Sequence, residues 1–149
     1  IISEPANAQI IGGGNAQERN EDGSPASSHP DFEPHPIQGW TPDFIPLVMQ
    51  EAIDNNYYDE LIPVPGPDAI GCAQALARKE GIFTGISGGA TFAIAVKVAE
   101  KAKAGSVILC MLPDTGERYM TTPLFEGIEE DMSDEEVALS KSTPGYQMD

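Results

Sequence analysis

The sequence predicts an α/β fold in which a mostly parallel sheet is sandwiched by helices. Between residues 59 and 112, short apolar segments alternate with longer helical ones, and this order is typical of a parallel sheet with helical connections. The segment "SVILCML" (106–112) is apolar without alternation, which indicates a strand buried on both faces. Glycine or proline stands at the junctions between these segments. We therefore expect parallel strands joined by right-handed crossovers.

Five segments precede the central part of this pattern. Residues 1–3 are predicted to end a strand, and residues 5–11 to form a short amphipathic turn. Residues 12–35 are rich in Gly, Pro, Ser and charge, which predicts a long surface loop. The apolar spacing of "FIPLVMQEAI" (44–53) predicts a short helix, and "DELIPV" (59–64) predicts a strand.

The next helix carries clear start and stop signals. Gly66 is predicted to be its N-cap, Pro67 its first helical residue and Asp68 a favourable acid in its first turn. Gly81 is predicted to end it, because glycine adopts the left-handed conformation common at helix C-termini.

The remaining segments complete the predicted domain. "IFTG" (82–85) reads as a short strand and residues 88–105 as a second helix that closes at Gly105. We assign residues 1–130 to one domain portion that includes the surface loop 12–35, and we expect the acidic tail 131–149 to be weakly ordered or to lie on the surface.

Composition excludes several functional classes. Eight basic and twenty-four acidic residues among 149 give a net charge of −16, which opposes binding to nucleic acid and to anionic membranes. No apolar run approaches the roughly 20 residues of a membrane span, and no secretory signal is recognisable, so we expect a cytoplasmic protein. Cys72 and Cys110 lack metal-site or disulfide spacing, so we interpret them as buried thiols and expect no metal site.

The glycine-rich turn "TGISGGA" (84–90) lies where ligands bind in parallel α/β proteins, at the carboxyl end of a predicted strand. In one interpretation Gly85, Gly88 and Gly89 leave room for a flat ligand, and Ser87 offers a hydrogen-bonding hydroxyl. In the other, the glycines only permit a tight turn. The spacing alone does not decide between them.

A second turn, "LPDTGERYMTTPLFE" (112–126), follows the next predicted strand in the same way. Because the carboxyl ends of parallel strands meet at one edge of a sheet, we expect the two turns to lie side by side and to face one crevice.

These segments together resemble cysteine synthase (O-acetylserine sulfhydrylase) of the pyridoxal-phosphate β-family. The family pattern EG-hydrophobic-x-x-GISSGA is similar to "EGIFTGISGGA" (80–90), and LPxxGERYLST is similar to "LPDTGERYMTT" (112–122). The family segment HKIQGIGxGFIP is similar to "HPIQGWTPDFIP" (35–46), and "SEPANAQII" (3–11) resembles a family strand that ends in Glu-Pro. The resemblance implies the C-terminal portion of a tryptophan synthase β-like fold.

The resemblance also implies site residues. By position, Ser87 is similar to the family serine that hydrogen-bonds the pyridine nitrogen of the cofactor, and Pro113 and Asp114 would flank the ring. Gly39 and Trp40 fall in the loop beside the bound substrate. A neutral hydroxyl leaves the pyridine nitrogen unprotonated, which makes the cofactor a poorer electron sink and favours β-elimination over transamination.

Two further features bear on the site. Arg118 and Tyr119 belong to the signature. We expect Glu117 and Arg118 to tie the second turn together by an ion pair rather than to act directly in catalysis. Where many relatives have GIGxGF, this chain has "GWTPDF" (39–44), and this departure leaves the substrate open.

The chain lacks the family's Schiff-base lysine, its phosphate-binding loop and its substrate-carboxylate loop. The lysines present read as surface charges; they are Lys79, Lys97, Lys101, Lys103 and Lys141. The sequence also begins Ile-Ile without Met. The resemblance therefore implies that this chain is the C-terminal half of the enzyme, inactive without an N-terminal half, and that no catalytic residue lies in it.

For the complete enzyme, the resemblance implies β-replacement of O-acetylserine with sulfide to give L-cysteine. It also implies a homodimer, and a serine acetyltransferase C-terminal tail is a possible partner in the cleft. Two alternatives stay open: a sibling reaction, either cystathionine synthesis or hydroxyamino-acid dehydration, and a non-enzymatic binding module.

Overall fold

The chain forms two parallel strands and four α-helices within residues 1–142 and Gly145, the part that the computed structural model describes. The regular elements are β1 (Ile2–Pro5), α1 (Leu47–Asp54), β2 (Leu61–Val64), α2 (Gly66–Ala75), α3 (Ile86–Lys101) and α4 (Asp134–Ser140). A π-helical turn, Leu76–Glu80, extends α2, and two 3₁₀ turns, Gly116–Tyr119 and Pro123–Phe125, follow α3.

The strands β1 and β2 pair in parallel, with Ile2 opposite Leu61 and Pro5 opposite Val64. The chain between them passes through α1, so the two strands are joined by a crossover rather than a hairpin. The predicted α/β class is confirmed.

The residues predicted to start and end α2 are close to those observed. The N-cap is Pro65, so the prediction of Gly66 is wrong by one residue: Gly66 already has helical geometry. Asp68 lies in the first turn, where the helix dipole favours an acid. Gly81 has φ of +68° and ends the π-helical turn, which confirms it as the C-terminal glycine.

The core lies where α2 and α3 pack on β2. Small residues, among them Ala69 and Ala73 of α2 and Ala90 of α3, are fully buried and let the two helices approach closely. Ile86 at the start of α3 and Val64 of β2 are buried in the same cluster. This packing fixes where α3 begins.

Residues 106–112 do not form the predicted buried strand. Val107 and Leu109 are 97% and 98% exposed, whereas Cys110 is half-buried near α3. A central parallel strand needs hydrogen-bonding neighbours, and within the described residues no named strand lies beside this segment. The predicted strand at 82–85 is likewise wrong and reduces to one bridge, from Thr84 to Thr115.

The long loop 12–35 is irregular, as predicted, but it is not wholly superficial, because His29 is buried. The tail is more regular than expected: Ser133 and Glu136 form a capping box that starts α4. No residue of α4 is buried, so this helix lies on the surface. The remainder of the predicted tail, at 143–144 and 146–149, lies outside the described residues.

Three further observations concern the described part of the chain. None of its helices has the length and apolar character needed to cross a membrane. It also contains no group of three residues able to hold a metal ion. Cys72 and Cys110 are half-buried free thiols, and burial raises the pKa of both.

Candidate functional site

The structure brings the two predicted turns together. The backbone N–H of Gly116 donates to the carbonyl oxygen of Phe83 at 3.3 Å, and that of Gly85 donates to Asp114 at 3.4 Å. The Thr84 hydroxyl donates to the same Asp114 carbonyl at 3.2 Å. Residues 83–85, immediately before α3, are therefore tied to the start of the second turn.

Ser87 lies in the first turn of α3 and is 3% exposed. Its side chain lies beside that of Tyr119, the last residue of the first 3₁₀ turn, and acts to lower the pKa of the Tyr119 phenol. The Ser87 carbonyl accepts a hydrogen bond from the Thr91 hydroxyl at 2.9 Å. A small neutral hydroxyl is thus held at the positive end of the α3 dipole.

Asp114 and Tyr119 form a hydrogen-bonded pair next to Ser87. The Tyr119 hydroxyl donates to Asp114 Oδ2. This bond is the main reason why the pKa of Tyr119 is raised; burial adds to the effect, while the Arg118 charge and the Ser87 side chain oppose it. Asp114 Oδ1 is buried and has no hydrogen-bond partner among the described residues. An unpartnered buried oxygen beside two hydroxyls suits a polar ligand group.

The glycines of the first turn face protein atoms. A Cβ on Gly85 would clash with the Tyr119 ring and lie 2.5 Å from Asp114 Oδ1, and one on Gly88 would clash with the Thr84 side chain. A Cβ on Gly89 would clash with the backbone of α2. The interpretation that these glycines leave room for a flat ligand is therefore wrong. They allow close packing, which in turn sets the position of Ser87.

Of the other predicted site residues, one adjoins this cluster in the chain and two lie in another loop. Pro113 is exposed and adjoins Asp114 in the chain. Gly39 has φ of +84°, and a Cβ added to it would meet nothing within 4 Å, while Trp40 packs partly buried against the core cluster that contains Ile86. The structure thus groups Ser87 with Asp114 and places Gly39 and Trp40 in a separate loop.

Trp40 lines two cavities of about 290 Å³ each. One extends to Thr91 and Cys110, and the other to Thr41 and Met49. Neither cavity is lined by Ser87 or Asp114. The loop at Trp40 therefore shapes space that is separate from the Ser87 cluster.

The expected Glu117–Arg118 ion pair is wrong. Among the described residues, Lys97 pairs with Asp68 at 3.6 Å, and His29 Nδ1, which accepts a hydrogen bond from the Asp31 backbone N–H, lies 3.9 Å from the Asp31 carboxylate. Glu117 instead bonds with the Thr115 side chain, and this bond is the main cause of its lowered pKa. Adjacent residues in a 3₁₀ turn point in different directions, which explains why the pair does not form.

The predicted surface role of the lysines agrees with the structure. Lys97 pairs with Asp68, and Lys79, Lys101, Lys103 and Lys141 are exposed. Sequence reasoning missed Tyr119, which lies beside Ser87 and donates to Asp114. Its signal was the GERY motif, which places a tyrosine one short turn after Asp114.

Fold and site together match a class of enzyme. A sequence profile of the family "Pyridoxal-phosphate dependent enzyme" matches residues 1–114. The chain belongs to this family, so the predicted cofactor class, pyridoxal phosphate, and the predicted resemblance are confirmed.

Individual relatives give finer comparisons. The chain is 40% identical over 134 residues to O-ureido-L-serine synthase of Streptomyces lavendulae, a match that covers 90% of this chain and 35% of the relative. It is 38% identical over 106 residues to the probable cysteine synthase of Bacillus subtilis strain 168, covering 71% of this chain and 33% of the relative. The chain thus spans about a third of the length of these relatives.

Solved structures agree with these matches. A crystal structure of O-ureido-L-serine synthase is similar with a TM-score of 0.69 and 39% identity, covering 91% of this chain and 37% of that one. Cysteine synthase from Entamoeba histolytica is similar with a TM-score of 0.63 and 28% identity, covering 93% and 35%. The fold is therefore that of the cysteine synthase-like enzymes.

Proposed function

We propose that the complete protein is a cysteine synthase, which replaces the acetoxy group of O-acetylserine with sulfide to give L-cysteine. This chain would supply the edge of the site that holds the pyridine nitrogen of the cofactor. The observation that carries the proposal is the buried Ser87 hydroxyl at the start of α3, next to the paired side chains of Tyr119 and Asp114.

The residues fit the cofactor. Ser87 would hydrogen-bond the pyridine nitrogen, and Pro113 and Asp114 would flank the ring. Tyr119 already donates to the Asp114 carboxylate, and an ionised carboxylate only accepts hydrogen bonds, whereas the Ser87 hydroxyl can donate one to an unprotonated pyridine nitrogen. When bound, pyridoxal phosphate supplies an electron sink for elimination at the β-carbon of the amino acid.

In this proposal, the other groups that catalysis requires lie outside this chain. A longer polypeptide, or a second chain, would supply the Schiff-base lysine, the phosphate loop and the loop for the substrate carboxylate. This chain alone would then be inactive. We further propose that the complete enzyme is a cytoplasmic homodimer, and that its cleft could receive the C-terminal tail of a serine acetyltransferase.

A second candidate is the synthesis of O-ureido-L-serine. The match to O-ureido-L-serine synthase extends over 90% of the chain, against 71% for the probable cysteine synthase. The two proposals share the elimination step and differ in the nucleophile that attacks the β-carbon. The loop at Gly39 and Trp40, which departs from the pattern of many cysteine synthases, is where we expect that difference to arise.

Product analysis tests the proposal. The full-length protein, loaded with pyridoxal phosphate, is incubated with O-acetylserine and either sulfide or hydroxyurea, and the products are identified by mass spectrometry. We expect L-cysteine as the faster product, with slower formation in Ser87→Ala than in the control Ser106→Ala, which changes an exposed hydroxyl.

Other products would overturn the assignment. Faster O-ureido-L-serine formation would select the second candidate. Cystathionine from added homocysteine, or a keto acid from serine or threonine alone, would select a sibling reaction. A loaded protein with no product under any condition would leave the non-enzymatic module as the account.

A further inference from the structure

The segment 39–45, which we call the border segment, has a strained backbone at Thr41. Thr41 has φ of +40°, in the left-handed region. For a β-branched residue this conformation is a marked outlier, because the side chain crowds the backbone there. Strain of this kind persists only where surrounding contacts hold it, and it is enriched at functional sites.

Those contacts come from the long loop 12–35. The His35 ring bonds through Nε2 to the carbonyl oxygen of Thr41 at 3.1 Å. The backbone N–H of His29 donates to the carbonyl of Asp43 at 2.6 Å, and the Ser28 hydroxyl donates to the Asp43 carboxylate. The loop thus bonds to the border segment on the C-terminal side of the strained residue as well as at Thr41 itself.

The same loop also holds the end of the border segment. Arg19 donates from Nη2 to the carbonyl of Ile45 at 2.5 Å, and Ile45 donates its backbone N–H to Gln17 Oε1 at 3.1 Å. Ile45 is itself buried. Five hydrogen bonds from residues 17–35 therefore meet the border segment between Thr41 and Ile45.

The bond from His35 has a definite direction. A carbonyl oxygen only accepts, so Nε2 must carry the hydrogen, and in the neutral ring Nδ1 is then an acceptor. Nδ1 is buried and finds no partner among the described residues. The ring is held by Phe32, whose edge-on contact has a centroid distance of 6.4 Å. His35 therefore presents one donor, and that donor is used on Thr41.

We propose that loop 12–35 is a brace that holds the border segment in its strained form, and that His35 and Thr41 are positioning residues for substrate selection. This inference rests on the proposed function, because it needs the border segment to lie at the substrate entrance. Trp40 and Thr41 line a cavity of about 290 Å³, so the strained backbone sets the shape of its wall. If the φ of Thr41 returned to a negative value, the peptide groups around Thr41 would reorient, and the hydrogen bond between the Thr41 carbonyl and His35 would be disturbed. In the proposal, this hydrogen bond therefore helps to hold the strained conformation.

Three variants of the full-length, cofactor-loaded enzyme test this. His35→Phe keeps a flat ring but removes the donor, and His35→Gln restores a donor to the Thr41 carbonyl. Thr41→Gly relieves the strain. Asn20→Ala is the control, because Asn20 lies in the same loop and its side chain bonds to Ser24 and Pro25.

The assay is the separate measurement of KM and kcat for O-acetylserine, with melting temperature and limited proteolysis alongside. We expect His35→Phe to raise KM about three- to tenfold with kcat within about twofold, as loss of one hydrogen bond implies. His35→Gln should recover most of that loss. Thr41→Gly should change KM less than His35→Phe does, because glycine keeps the positive φ and the backbone carbonyl without the Cβ clash, and its melting temperature should stay equal to or above the parent's.

An unchanged KM in His35→Phe, no rescue by His35→Gln, or a lower melting temperature in Thr41→Gly would overturn the inference. Limited proteolysis tests the brace independently of the proposed function, because it does not require enzyme activity. If the enzyme makes no product, faster cleavage within residues 39–45 in His35→Phe than in Asn20→Ala still supports the brace, and equal cleavage refutes it.

Discussion

Gly89 offers a direct test of how the first turn is positioned, because a matched glycine lies on the helix it packs against. A Cβ added to Gly89 would lie 2.7 Å from both Cβ and N of Ala73, and still closer to the Ala69 carbonyl oxygen. The obstructing atoms include backbone, so a rotamer change cannot relieve the overlap. Gly71, inside α2, is exposed, and a Cβ there would meet nothing within 4 Å.

The same substitution should therefore have opposite effects at the two positions. Both Gly→Ala changes gain about 0.5–1 kcal/mol of helix propensity. At Gly89 that gain is opposed by an overpacking cost of about 1–3 kcal/mol, and contact with backbone favours the upper end. Gly71→Ala should stabilise the protein and Gly89→Ala should destabilise it, with the difference equal to the packing cost.

Urea unfolding of the two full-length variants, followed by circular dichroism, measures this difference. Because Gly89 fixes the approach of α3, the Gly89→Ala enzyme should also bind pyridoxal phosphate more weakly. Equal stability of the two variants would refute the view that the turn is set by the contact between α2 and α3.

Four further predictions follow from the same contacts. Ser87→Ala should lower turnover about two- to tenfold, since one hydrogen bond is lost; unchanged kinetics would remove Ser87 from the site. Tyr119→Phe removes the phenol that donates to Asp114 Oδ2, while Oδ1 already has no partner among the described residues, and should cost about 1–3 kcal/mol in urea unfolding; a neutral result would show that water replaces the phenol. Deleting residues 131–149 should cost less than about 1 kcal/mol, because α4 is exposed, and a large fall in melting temperature would show that the tail docks. Burial raises the pKa of the Glu4 carboxyl above its ordinary 4.5, although hydrogen bonds from the backbone amides of Ile11 and Gly12 oppose this. The folded state therefore binds the proton more tightly than the unfolded state, and the free energy of unfolding should fall as pH rises from 4.5 through the folded pKa. Glu4→Gln should lose this pH dependence, and an identical pH profile would contradict the assignment.

Local sequence signals predicted three of the four α-helices and the meeting of the two turns, but α3 ends at Lys101 rather than at the predicted Gly105, and α4 was not predicted. Gly81 works as predicted because a positive φ at a helix end is a property of one residue. The two turns meet at the antiparallel bridge between Thr84 and Thr115, although the parallel strands expected to bring them together do not form.

The predictions that were wrong have a common physical cause: each depends on contacts with residues that are distant in the sequence. Residues 106–112 are apolar enough for a buried strand, but strand formation also requires neighbours that pair with it. The glycines at 85, 88 and 89 were ambiguous from spacing alone, and only their contacts with Tyr119, Thr84 and α2 show that they serve packing. The strain at Thr41 could not be predicted either, because threonine gives no signal for a positive φ.

The most direct measurement is a crystal structure of the full-length protein with pyridoxal phosphate bound. The account predicts that the pyridine nitrogen lies within hydrogen-bonding distance of Ser87 Oγ, about 2.7–3.2 Å, with the Tyr119–Asp114 pair intact beside it. A cofactor ring whose nitrogen faces a different residue, or lies far from the start of α3, would contradict it.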